Sequence, residues 1–128
     1  MSLLDSFYLI QNPNKLLISV LEKKNIPGGF GDFRVPNEEE NNYYKDDIVY
    51  KLIDSIWKKE VNSLKLKKIN PNLFSIPVPQ LDNSSLLLVS SQVVSGTNYE
   101  AIVSVITNQI DQGTEKNYYL IKYYIPLP

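Results

Sequence analysis

Apolar residues recur at helical spacing over one long stretch of the chain, from about residue 37 to residue 60. They lie three or four positions apart, on one wide face of an α-helix: Tyr44, Ile48, Val49, Leu52, Ile53, Ile56 and Trp57. Asn37 can cap this helix, and Glu40 occupies the position of a capping-box partner. The pattern predicts one long amphipathic helix whose apolar stripe, Trp57 included, lies in the core.

The second half of the chain has the apolar runs and alternation of β-strands. Residues 86–94 and 99–107 form two such runs, joined by a short segment in which Gly96 is free to adopt a positive φ, so they predict a β-hairpin. A third run follows at residues 118–125. Alternation assigns one face of the last two runs to Tyr99, Ala101, Val103, Val105, Tyr119, Ile121, Tyr123 and Ile125. The neighbouring tyrosines are expected to cover the open face, with their hydroxyls in water.

Two other parts of the chain have weaker patterns. Residues 7–10 favour a strand, and Asn12 and Pro13 predict the start of a helix. Between about residues 65 and 85, X-Pro pairs push the chain toward extended conformations, which predicts a long irregular connection. We therefore expect an N-terminal extension (1–25) and one domain (26–128) with a Pro-rich insertion at about 65–85.

The composition excludes several function classes. The 128 residues carry a net charge of −1, so there is no basic field for nucleic acid. The absence of cysteine and histidine removes thiolate chemistry, the usual general base and the commonest metal ligands. We therefore expect no enzyme activity, no cofactor and no metal. No run is long enough to span a membrane and the N-terminus lacks a secretory pattern, so we expect a cytoplasmic protein without a membrane partner.

Val93 and Val94 are unusual because they lie near the tip of the predicted hairpin. Hairpin tips are commonly polar, and β-branched residues resist the positive φ values of tight turns. Exposed valines at a bend suggest a tip shaped to enter a cleft of another molecule. Far upstream, residues 28–31 include three glycines, whose backbone can approach another surface closely.

These two features carry a resemblance to a known family. The hairpin tip fits the Gln-x-Val-x-Gly signature of the cystatins, as Gln92, Val93, Val94, Ser95 and Gly96. It continues through Tyr99 as in the stefin branch. Stefins open with a trunk of the type Ile-Pro-Gly-Gly, which this chain resembles at Ile26, Pro27, Gly28 and Gly29. The pair Leu127 and Pro128 resembles a Leu-Pro pair near the end of the stefins. The resemblance runs from about residue 26 to the end.

The resemblance implies an α+β cystatin-like fold, with one long helix wrapped by a curved antiparallel sheet. It also implies a reversible, tight-binding inhibitor of papain-like cysteine proteases. Val93 to Gly96 would enter the centre of the protease cleft, and Leu127 with Pro128 would lie on its primed side. Ile26 or Pro27 would reach an apolar subsite, while Gly28 and Gly29 bend past the catalytic residues.

The chain departs from the stefin pattern at both ends. About 25 residues precede the trunk, the interval between trunk and hairpin is longer, and the last strand is absent. The missing strand would leave an unpaired edge beside the third strand. One hypothesis is that residues 3–10 fill this edge, in an arrangement resembling a circular permutation. An exposed edge would otherwise be available for a homodimer.

Two other function classes stay open from the sequence. One is a non-inhibitory cystatin-like interaction module, which would bind a partner by strand addition. The other is an enzyme or ligand carrier built on a helix-wrapped sheet. That class requires a deep pocket with converging polar groups, for which the sequence offers no candidate set.

Overall fold

The computed structural model describes residues 3–14, 30–66, 78–109 and 113–127. Within them, one long helix packs on a four-stranded antiparallel sheet, so the predicted α+β class is confirmed. The strands are β1 (Leu3–Leu9), β2 (Val78–Val94), β3 (Gly96–Gln109) and β4 (Gly113–Ile125), in the order β1-β4-β3-β2. The helix consists of α1 (Glu38–Tyr43), a π-helical turn (Tyr44–Ile48) and α2 (Val49–Leu66).

The helix begins at Glu38 because Asn37 and Glu40 form the predicted capping box. The Glu40 amide donates to Asn37 Oδ1 at 2.8 Å, and the Asn37 amide donates to Glu40 Oε1 at 2.9 Å. Three glutamates in the first turn also favour the positive end of the helix dipole. In the described part of the chain, no helix has the length and apolar character needed to cross a membrane.

The π-helical turn keeps the buried stripe of the helix on one face. Positions with buried side chains recur every four residues, at Glu40, Tyr44, Ile48, Leu52 and Ile56. In an α-helix of 3.6 residues per turn, each four-residue step rotates the stripe by roughly 40°. A turn with i→i+5 hydrogen bonds takes up part of that rotation.

The core lies between the helix and one face of the sheet. The strand faces predicted by alternation are confirmed for β3 and β4: Ala101, Val103, Val105 and Ile121 are fully buried, and Tyr119 and Tyr123 nearly so. Trp57, however, is half-buried and lies outside the core cluster, so its predicted core position is wrong. It follows Ile56 by one residue, about 100° around the helix, which places it on the flank of the stripe.

Strand β1 fills the edge of the sheet beside β4. Leu3 pairs with Tyr124 and Leu9 with Tyr119, in antiparallel register. The hypothesis that residues 3–10 occupy this edge is therefore confirmed, and a homodimer through an exposed sheet edge stays a prediction. Pro13 is the first helical residue after β1, as predicted, and residues 15–29 lie outside the described part of the chain.

Strand β2 begins at Val78, well before the predicted start at residue 86. Val78 and Pro79 pair with Asn108 and Thr107, so the prediction of an irregular connection as far as residue 85 is wrong. A residue before proline favours extended backbone, and an edge strand tolerates the missing amide of Pro79 because one of its sides needs no donor. The pairing register shifts between Gln80 and Ser85. Residues 67–77 are not among the described residues.

Candidate functional site

The hairpin between β2 and β3 has its bend at Ser95. Val94 pairs with Gly96 and Val93 with Thr97, so strand pairing continues up to the bend. Gly96 has a φ of 116°, which a residue with a β-carbon rarely adopts. A β-carbon at Gly96 would also lie 2.7 Å from the carbonyl oxygen of Ile125. Both the backbone angle and the close packing therefore require glycine at this position.

The valines of the bend are exposed to solvent, as predicted. Val93 is 81% exposed and Val94 is 48% exposed. At the base of the tip, Gln92 pairs with Asn98, whose Nδ2 donates to Gln92 Oε1 at 3.4 Å. The bend therefore presents two apolar side chains at the end of a paired β-ladder, which is a surface suited to contact with another protein.

The end of β4 lies beside the same bend. Ile125 pairs with Thr97, and Leu127, two residues further on, is 68% exposed. The Tyr124 hydroxyl donates a hydrogen bond to the Ser95 carbonyl oxygen. This hydroxyl, which was expected to face water, therefore has a partner on the bend as well. Sequence reasoning missed the contribution of Tyr124 because alternation gives only its face, whereas its contact with Ser95 depends on the register of β4 against β3.

A segment on the other side of the hairpin, from Gly31 to Arg34, runs along the outer edge of β2. Arg34 and Val89 exchange two backbone hydrogen bonds of 2.9 Å, and the Gly31 amide donates to the Ser91 carbonyl oxygen at 3.1 Å. The Ser90 hydroxyl donates to the Gly31 carbonyl oxygen. From Arg34 back to Gly31 this edge segment runs toward the hairpin tip, because its bridge to β2 is antiparallel.

The structure thus describes only some of the residues predicted for the site. Gln92, Val93, Val94, Ser95, Gly96 and Leu127 come together at one end of the sheet, which we call the hairpin end. The predicted trunk residues Ile26, Pro27, Gly28 and Gly29, together with Pro128, lie outside the described residues.

The edge segment is joined to the helix by a buried carboxylate. Arg34 donates to both oxygens of Glu40, at 2.7 and 2.8 Å. The hydrogen bonds from Arg34, which outweigh the effect of burial, lower the pKa of Glu40 to about 2. Tyr99, on β3, interacts with Glu40 as well. Burial, and then the interaction with this carboxylate, raise the pKa of Tyr99 to about 12, so its hydroxyl stays protonated. Glu40 therefore joins the helix start, the edge segment and β3.

We expect Glu40→Gln to lower the free energy of unfolding at pH 7 by about 2 kcal/mol. The folded-state pKa of about 2 lies below the ordinary value of 4.5, so the carboxylate stabilises the fold above about pH 4.5. This contribution is lost as the pH falls toward 2. Urea unfolding of wild type and variant at several pH values measures the difference, which should shrink steadily between pH 4.5 and pH 2.

Glu39→Gln is the matched control for that experiment, because Glu39 is exposed in the same helical turn. It should change the free energy of unfolding by less than about 0.5 kcal/mol. A pH-independent difference between Glu40→Gln and wild type would contradict the proposed origin of the stabilisation.

Other kinds of site have less support in the described ranges. No group of three or more acidic side chains there is arranged to hold a metal ion. A mainly apolar groove of about 330 Å³ is lined by Ile10, Pro13, Asn14, Leu87, Leu88, Ile102 and Tyr118. It shares no residue with the hairpin end.

Comparisons with protein-family models, with curated proteins and with solved structures found no match for the chain. A functional proposal therefore rests on two observations. One is the geometry of the hairpin end, and the other is the resemblance of its sequence to the cystatin signature.

Proposed function

We propose that this chain has a cystatin-like fold and is a reversible inhibitor of papain-like cysteine proteases. The observation that carries the proposal is the hairpin end itself. Val93 and Val94 are exposed on a bend that Gly96 and Tyr124 hold in place, and the exposed Leu127 follows β4 beside it. The same tip carries the Gln-x-Val-x-Gly signature.

The shape of the hairpin end suits the cleft of such a protease, whose nucleophile lies at the bottom of a V-shaped groove. A bend of one residue is narrow. Burial of the largely exposed Val93 contributes about 1.5 kcal/mol, and burial of the half-exposed Val94 contributes about half as much. Because the bend is paired up to Val94 and Gly96, little conformational entropy is lost on binding. The tip blocks the cleft without presenting a peptide bond for attack.

Two flanking pieces would extend the contact. Leu127 would lie on the primed side of the cleft, and the chain before Gly31 would lie on the substrate side, because the edge segment runs toward the tip. A contact of standard size buries roughly 1,600 Å² in total, and a few apolar anchors carry most of its energy. Val93, Val94 and Leu127 are the anchors that the described residues offer.

Titration of active papain with the protein tests this function. We expect activity to fall linearly and to reach zero at one molecule of inhibitor per active site, when the papain concentration is well above the dissociation constant. Trypsin, which has a serine nucleophile, serves as the control and should keep its activity. Undiminished papain activity at a large excess of the chain would refute the inhibitor function. Binding without loss of activity would favour a non-inhibitory interaction module.

A further inference from the structure

We propose that Arg34 and Glu40 form a clamp that fixes the path of the edge segment relative to the hairpin. Because this segment runs toward the hairpin end, the two residues act as positioning residues for it. The fixed path follows from the contacts of the free protein. Its consequence for protease binding rests on the proposed function.

The edge segment has few main-chain bonds to hold it. Its pairing with β2 is an isolated bridge at Arg34 and Val89, with one further backbone hydrogen bond from Gly31 to Ser91. A strand pair this short is marginally stable by itself. The direction in which the segment leaves Gly31 therefore depends on side-chain contacts as well.

The side chain of Arg34 supplies such a contact. Its two terminal nitrogens bind the two oxygens of Glu40 in parallel, a fork geometry that fixes orientation as well as distance. The Glu40 side chain is 6% exposed, whereas that of Arg34 is 46% exposed. Loss of Arg34 would leave a buried carboxylate without its cationic partner, which is costly.

Glu40 is itself held in place from two sides. The Asn37 amide donates to Oε1 in the capping box, and the Tyr99 side chain on β3 interacts with the carboxylate. Tyr99 pairs with Ser91, the residue that accepts the Gly31 amide, and its ring stacks on Tyr123 with 5.1 Å between the centroids. One carboxylate thus fixes the edge segment against the strand that leads out of the bend.

Arg34→Lys tests the clamp, because lysine keeps the charge but cannot bind both oxygens in a fork. In the free protein, we expect the Gly31 amide to exchange its hydrogen at least about tenfold faster than in wild type, because its segment opens locally. The amides of Val103 and Ile121, in the middle of the sheet, should keep their rates. A purely structural role would accelerate all three by a similar factor, and that result would overturn the clamp, as would an unchanged Gly31 rate.

The off-rate from papain provides the second measurement. Arg34→Lys should dissociate about tenfold faster than wild type, whereas the exposed Glu39→Gln should dissociate at the wild-type rate. A faster Gly31 exchange with an unchanged off-rate would overturn the positioning role toward the protease. If wild type does not inhibit papain, the proposed function fails, and the exchange rate of Gly31 still decides whether the clamp exists.

Discussion

Replacing Val94 with aspartate should raise the inhibition constant for papain by at least about a hundredfold. Val94 lies at the bend and would be buried against an apolar wall of the cleft, where an unpaired carboxylate costs several kcal/mol. In the free protein Val94 is 48% exposed, so the same carboxylate stays hydrated and the free energy of unfolding should change little. Inhibition assays and urea unfolding of the same preparation separate the two effects.

Val35→Asp is the matched control for this substitution. Val35 is 77% exposed and follows the edge segment on the side away from the tip. The Val35→Asp variant should inhibit papain as the wild-type protein does. An equal loss of inhibition in both variants would show that added negative charge, and not the position of Val94, causes the effect, which would contradict insertion of the bend.

Replacing Gly96 with alanine should lower the free energy of unfolding by about 3 kcal/mol. About 1 kcal/mol comes from the positive φ, and the rest comes from the β-carbon, which would lie 2.7 Å from the Ile125 carbonyl oxygen and would meet the Tyr124 ring. Because the contact between Tyr124 and Ser95 would have to shift, inhibition should weaken as well. Urea unfolding followed by Trp57 fluorescence measures the stability.

Gly113→Ala isolates the backbone part of that cost. Gly113 also has a positive φ, of 74°, but a β-carbon there would meet nothing within 4 Å. It should therefore cost only about 1 kcal/mol and leave inhibition unchanged. Equal destabilisation by the two alanines would mean that the packing of Gly96 against β4 contributes nothing.

The features that the sequence predicted correctly depend on neighbouring residues. The capping box of Asn37 and Glu40 needs only a spacing of three, and the faces of β3 and β4 follow from strict alternation. The bend at residues 93–96 was predicted from glycine chemistry and from the position of two valines between strand-like runs. For each of these, local physics and the tertiary structure favour the same conformation.

The features that were missed depend on how distant segments align. The pattern predicts a core position for Trp57 because it follows Ile53 by four residues, whereas the buried positions run through Leu52 and Ile56 and leave Trp57 on their flank. The early start of β2 is not predicted because X-Pro pairs indicate extended backbone but not whether it pairs, and the structure pairs Pro79 with Thr107 at the sheet edge. The contact of Tyr124 with Ser95 follows from strand register, for which the sequence carries no local signal.

Amide hydrogen exchange of the chain, alone and with one equivalent of papain, tests most directly whether the hairpin end enters the cleft. Binding should slow exchange at residues 93–97 and at Leu127, while the exposed surface of α2 keeps the rate of the free protein. Protection of α2 or of β1, with exchange at residues 93–97 unchanged, would mean that another surface meets the protease and would contradict the proposed mode of inhibition.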